Sequence, residues 1–147
     1  MAMSMISVQP IWGSIAKEAF LRRRFQLTER PRRAVLRIFS DTGYELFLNG
    51  RLVAVVDEWN NIRDYEVTPF LRAGENLAAV HVVNHSGHRG CSLELCCDGV
   101  VNLVSDENWR ASDCETWGWI LPEFDDRGWS GARIVPLRHA GLPQWRG

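Results

Sequence analysis

The chain contains no apolar run approaching the roughly 18–20 residues that a membrane helix needs. Its opening residues, 1–13, carry neither a basic n-region nor a continuous apolar h-region, so no signal peptide is expected there. An excess of positive charge is also missing. The formal net charge is -1, which argues against nucleic-acid binding by bulk charge. Cysteine is sparse, and the spacing of Cys91, Cys96, Cys97 and Cys114 fits no paired CxxC zinc pattern. Free thiols in a reducing, cytoplasmic setting are expected, with a Cys91–Cys114 bridge as the alternative. No nucleophile elbow, P-loop or dinucleotide fingerprint occurs, and repeats and low-complexity tracts are absent. A sustained 3.6-residue pattern is lacking too, leaving room for one helical turn near 14–19.

What is present is a period of two. With 147 residues, 46% hydrophobic and 24% charged, the chain has material for one domain with a true core. Alternating or apolar short runs predict strands over 20–27, 34–39, 44–48, 52–56 and 65–68. Further strands are predicted over 77–84, 92–97, 100–104 and 133–137, with 105–131 irregular. Asn49-Gly50 and Asp98-Gly99 are two-residue hairpin signals between such runs. Many short strands at near-regular spacing indicate an all-β sandwich or barrel. The expected organisation is an N-terminal extension over 1–19, a β-sandwich over 20–137, and a tail or linker over 138–147.

The run from Asp41 through Thr42, Gly43, Tyr44, Glu45, Leu46, Phe47 and Leu48 to Asn49-Gly50 resembles a hairpin of jelly-roll, galactose-binding-like domains. Such domains accompany α-L-rhamnosidases and related glycoside hydrolases. Tyr65-Glu66-Val67-Thr68, Leu71, Gly74-Glu75-Asn76 and Ala79-Val80 are similar to the next segment of that family. Ser105-Asp106-Glu107 with Trp109, and Phe124-Asp125-Asp126 with Trp129, resemble its closing elements. The resemblance implies a jelly-roll β-sandwich. It also implies a domain that either binds sugar, often beside Ca2+, or only packs against a catalytic domain. Here Asp41 is followed by Thr42 rather than by a second acid, and losing a carboxylate weakens an oxygen cage that calcium fills with six to eight ligands.

Six of the seven tryptophans follow residue 58, and four fall within 105–131. Trp109 and Trp129 lie in closing motifs and are expected to plug the sandwich. Trp59, Trp117 and Trp119 lie in polar or glycine-containing loops, where a flat indole can stack on a sugar ring. Counting strand reversals brings the loops after 39, 56 and 84 to one end of the sandwich. Those loops hold Asp41, Trp59, Asn60, Asn61, Asp64, Asn84, His85 and His88, with Arg89 beside them. Amides and carboxylates beside an indole suit hydroxyl recognition, because each sugar hydroxyl both donates and accepts. His85 and His88 have no third and fourth ligand nearby, so they read as loop polar groups, and His81 as a satisfied strand histidine.

Charge is uneven. Residues 17–37 hold eight basic and two acidic residues, whereas 106–126 hold seven acidic and one basic. Arg22, Arg23 and Arg24 should alternate faces, so complementarity between the two blocks is expected rather than one anion patch. No spacing marks a pair of catalytic carboxylates across a cleft. The expected function is a non-catalytic carbohydrate-binding module whose partners are a carbohydrate and the catalytic domain of a parent glycosidase. Neither nucleic acid nor membrane is expected as a partner. The alternative is a docking sandwich that binds no sugar.

Overall fold

The computed structural model describes residues 8–14, 16–40, 42–57, 62–84 and 90–135. Among the described residues twelve strands form two six-stranded sheets, and every pairing is antiparallel. The first sheet runs β12 (Arg133–Ile134), β1 (Ile11–Trp12), β8 (Cys91–Cys97), β3 (Ala34–Ser40), β6 (Arg63–Glu66), with β9 (Val100–Val104) also on β8. The second runs β11 (Ser130–Gly131), β10 (Arg110–Ser112), β2 (Glu18–Leu27), β7 (Gly74–Val83), β4 (Gly43–Leu48), β5 (Arg51–Val56). The one helical element among the described residues is a 3-10 turn at Thr68–Phe70. Of the sandwich or barrel that the alternation predicts, the sandwich forms, with the jelly-roll architecture that the resemblance implies.

Alternation decides which side chains enter the core, because successive Cβ atoms of a strand point to opposite faces. Ala19, Leu21, Phe25 and Leu27 of β2 meet Leu36 and Ile38 of β3 and Leu93 and Leu95 of β8 in one core cluster. Tyr44 and Tyr65 join the sheets by a 2.7 Å hydroxyl–hydroxyl hydrogen bond. Burial, with Tyr65 second, drives the Tyr44 phenol far above its ordinary range.

Both predicted hairpins form. Asn49 and Gly50 have φ of 52° and 82°, Asp98 and Gly99 of 51° and 81°, the paired positive values of a type I′ turn. Asn49 does more than turn the chain. Its side chain donates to the Phe70 carbonyl and to Asn76 Oδ1, and accepts from the Leu77 N–H. The buried Asn76 amide in turn donates to the Arg72 and Gly74 carbonyls.

Two features depart from the sequence reading. Residues 11–12, expected in an extension, pair with Cys91 and with Arg133 and Ile134, so the sheet begins inside the 1–19 segment. A two-residue strand is too short to show a period. Near 14–19 the chain enters β2 at Glu18, and no helical turn forms over the described residues. Of the strand predicted over 133–137, Arg133–Ile134 is observed, and 136–137 lie outside the described residues.

Candidate functional site

Four connections leave the same end of the sandwich. Gly43 pairs with Val83, Tyr44 with Val56, Ser40 with Cys91, and Glu18 with Val83. The strand ends that flank the loops after Ser40, Val56 and Val83 therefore converge, in agreement with the reversal count. Thr42 donates its N–H to the Val83 carbonyl at 3.1 Å, which draws two of these connections together. Gly43 is required here. An added Cβ would lie 2.6 Å from the Val56 carbonyl oxygen, closer than any side chain tolerates.

Beside this end the structure has a recess of about 220 Å3, walled by Tyr44, Val55 and Val83 and bordered by Glu45, Asp57 and His81. Its walls are largely apolar, and its polar groups are ordered. His81 Nδ1 lies 3.0 Å from Glu45 and Nε2 lies 2.7 Å from Glu18, while the imidazole stacks on Phe20 at 4.3 Å. The strand histidine is satisfied, as expected. Glu45 and His81 were not among the residues singled out for sugar. Their signal is the shared register of β4 and β7, where they stand opposite each other.

The named candidates divide three ways. Asp41, Trp59, Asn60, Asn61, His85 and His88 lie outside the described residues. Asn84 is buried at the converging end, its N–H donated to the Lys17 carbonyl at 2.7 Å. Asp64 is the second residue of β6, just past the loop after Val56. It pairs with Arg37 across β6 and β3, with fork distances of 2.8 and 3.2 Å, and the Arg37 bond holds its carboxyl below the usual range.

The tryptophans need a correction. Trp119, expected to face a ligand, is 4% exposed and packs edge-on against Phe20 and Phe47. It belongs to a second apolar cluster on the outer face of the second sheet, with Phe124 and Trp129 at its border. Residues 113–129 thus form a third layer, and burial on that face removes the indole from solvent. Trp117, two residues away, is 91% exposed and keeps a free stacking surface. Trp109 is buried and donates its indole N–H to the Val104 carbonyl, the plug that was expected.

Arg22 and Arg24 hold this layer down. Arg22, fully buried, donates Nε to Asp126 at 2.8 Å and its remaining N–H groups to the Trp119, Leu121 and Phe124 carbonyls. Arg24 donates to Asp126 at 3.0 Å and to the Pro122 carbonyl at 3.1 Å. Burial alone would raise the Asp126 carboxyl, but the two guanidinium groups outweigh it and hold it below its ordinary value. The basic and acidic blocks do meet here. Among the described residues no group of three His, Cys, Asp or Glu side chains is arranged to hold a metal ion. Asp41, which the resemblance connects with calcium, is outside them.

Comparison with known proteins bears on the whole chain. No family model matches it. An α-L-rhamnosidase of Streptomyces avermitilis is 31% identical over 144 residues, 90% of this chain but 14% of the relative. A crystal structure of Streptomyces avermitilis α-L-rhamnosidase complexed with L-rhamnose superposes over 86% of this chain with a TM-score of 0.76 and 29% identity. This chain is homologous to one segment of an α-L-rhamnosidase and shares its β-sandwich fold. A rhamnosidase of Bacillus sp. GL1 matches over 88% of this chain and 18% of its own, with a TM-score of 0.77 and 25% identity. A lectin of Pleurotus ostreatus shares the fold, with a TM-score of 0.76 at 24% identity and 41% of its length covered. The chain thus spans a small fraction of the rhamnosidases it matches, as an accessory domain does.

Proposed function

We propose that the chain is a non-catalytic carbohydrate-binding module, serving as an accessory domain of a glycoside hydrolase such as an α-L-rhamnosidase. The observation that carries this reading is the converging end. Three of its four connections are the loops after Ser40, Val56 and Val83, and the recess bordered by Glu45, Asp57 and His81 opens beside it. An apolar wall with a few ordered polar groups is the composition of a small-ligand site. The loops add Asp41, Trp59, Asn60, Asn61, His85 and His88, which supply an indole and hydrogen-bonding groups in sequence. Calcium binding at Asp41 belongs to the same reading.

A shallow site leaves much of a sugar in water, and each hydrogen bond there replaces one to solvent. Dissociation constants on the order of micromolar to millimolar are expected. Titration calorimetry with L-rhamnose and a panel of neutral monosaccharides, with and without EDTA, tests this. Trp59→Ala should abolish binding and leave the melting temperature nearly unchanged. A loss of stability of about 3–5 kcal/mol, as for a deleted core aromatic, would place Trp59 in the core.

A specific observation favours the docking reading as the second. Leu52 and Val55 of the edge strand β5 are both more than half exposed, on the sheet that also carries the third layer. Absence of binding to any saccharide in the panel would give that reading the lead.

A further inference from the structure

At the border between β2 and the third layer lies a recess of about 360 Å3, lined by Arg22, Arg23, Arg24, Arg110, Arg127 and Asp126. Its size falls within the range of about 300–1,000 Å3 typical of small-molecule sites. Sequence alternation predicts that Arg22, Arg23 and Arg24 cannot share a patch, yet all three border this space. The strand β10 begins at Arg110, opposite Arg22, so β10 has no residue alongside Arg23 and Arg24 on that side of β2.

The charges do not balance. Arg22 and Arg24 are taken up by Asp126, with Glu75 3.5 Å from Arg24, and Arg127 forms a fork with Asp125 at 2.8 and 2.9 Å. Five guanidinium groups therefore face three carboxylates. The two left over are Arg23 and Arg110. Among the described residues neither has a carboxylate partner, and Arg110 donates only to the Trp129 carbonyl. Arg110 also stands directly across from Arg22, whose charge Asp126 already neutralises, so Arg110 keeps its own charge for another anion. The basic residues of the chain are sixteen arginines and one lysine, Lys17. The planar guanidinium fork matches the two oxygens of a carboxylate or sulfate, which a lysine point charge does not.

We propose that this recess is an oxyanion site for an acidic saccharide, its carboxylate or sulfate ester taken by Arg23 and Arg110. It rests on the reading of the domain as a carbohydrate-binding module and adds a second, charge-selective contact away from the converging loops. The ligand's anion supplies the negative charge that the recess lacks, and its ring fills a space larger than an inorganic ion needs.

The test uses the full chain, titrated with tri-galacturonate, with its neutral methyl ester, with a sulfated disaccharide, with L-rhamnose and with inorganic sulfate. The variants are Arg23→Gln, Arg110→Gln and the double substitution; Arg22 and Arg24 are left intact because they anchor the third layer. The expected result is that tri-galacturonate or the sulfated disaccharide binds at least about tenfold more tightly than the ester. The double variant should lose that margin while its melting temperature and its affinity for L-rhamnose stay unchanged. The tighter of the two acidic probes names the group recognised. Equal binding of acid and ester, or acid binding that survives the double substitution, overturns the proposal while the binding-module reading stands. A response to inorganic sulfate alone marks an adventitious counter-ion and overturns it too, and silence toward every saccharide removes both readings.

Discussion

The two faces of β2 carry different chemistry. On its inner face Ala19, Leu21, Phe25 and Leu27 join an apolar core, where burial is non-directional and shape does the rest. On its outer face Phe20, Arg22 and Arg24 receive the third layer through an aromatic cluster and guanidinium bonds to a carboxylate and several carbonyls. Such bonds are directional, and each needs its acceptor in place. The inner face should therefore lose stability by increments when altered, whereas the outer face should release its layer as a unit.

The sharpest way to break this comparison is Arg22→Ala. Removing one partner of a buried ion pair costs about 3–5 kcal/mol, because the other charge is left unpaired. The Trp119 carbonyl is also orphaned, while those of Leu121 and Phe124 keep donors in Phe124 N–H and Arg24. In urea the tryptophan emission should shift ahead of the far-UV circular dichroism, as Trp119 is exposed while the sandwich persists. Coincident transitions with a change below about 1 kcal/mol would show that the layer is held by its aromatics alone. Replacing both charges, R22M with D126L, should recover only part of the loss, since the Trp119 carbonyl stays unsatisfied and Arg24 loses Asp126.

A smaller effect is expected on the inner side. Gly43→Ala drives a methyl against the Val56 carbonyl and should cost about 1–3 kcal/mol, as overpacking does. Both probes should then report one shared transition. Because Gly43 borders the 220 Å3 recess, the same variant should also weaken sugar binding if that recess is the site.

The sandwich was legible because its signals are local. Period two, Asn49-Gly50 and Asp98-Gly99 act within a few residues, and both turns form as read. The motifs that carry the family resemblance prove to be architectural. Asn49 and Asn76 lock a turn, buried Ser105 ties the Gln9 carbonyl to the Leu93 N–H, and Asp126 receives Arg22. They serve the fold. The third layer has no period to read, since Arg22 bonds to residues about a hundred positions away. Trp119 looks like an exposed loop indole until the outer face that covers it is known. The end on which the loops converge could be counted, because antiparallel strands reverse direction at every connection. Asp64 could not be placed by counting, since its fate depends on Arg37 in a strand that is its neighbour only in space.

The smallest effect is a response to acid. In the folded chain Asp126 has a carboxyl held below its ordinary value of about 3.9. Burial opposes this and the bonds from Arg22 and Arg24 prevail. A depressed folded value means that the unfolded chain takes up the proton first as pH falls. The contribution is therefore complete above about pH 4 and is lost as pH falls through the folded value. Asp64 is depressed in the same direction by Arg37, but that pair is on the surface and is screened by salt. Melting curves from pH 6 to pH 2 in low and in high salt separate the two. At high salt the Asp64 share fades, and the remaining acid loss should follow tryptophan emission rather than the far-UV signal. Asp126→Asn should be less stable at pH 6 and lose less on acidification. An unchanged acid profile in that variant would mean that Asp126 is not the group whose protonation releases the layer.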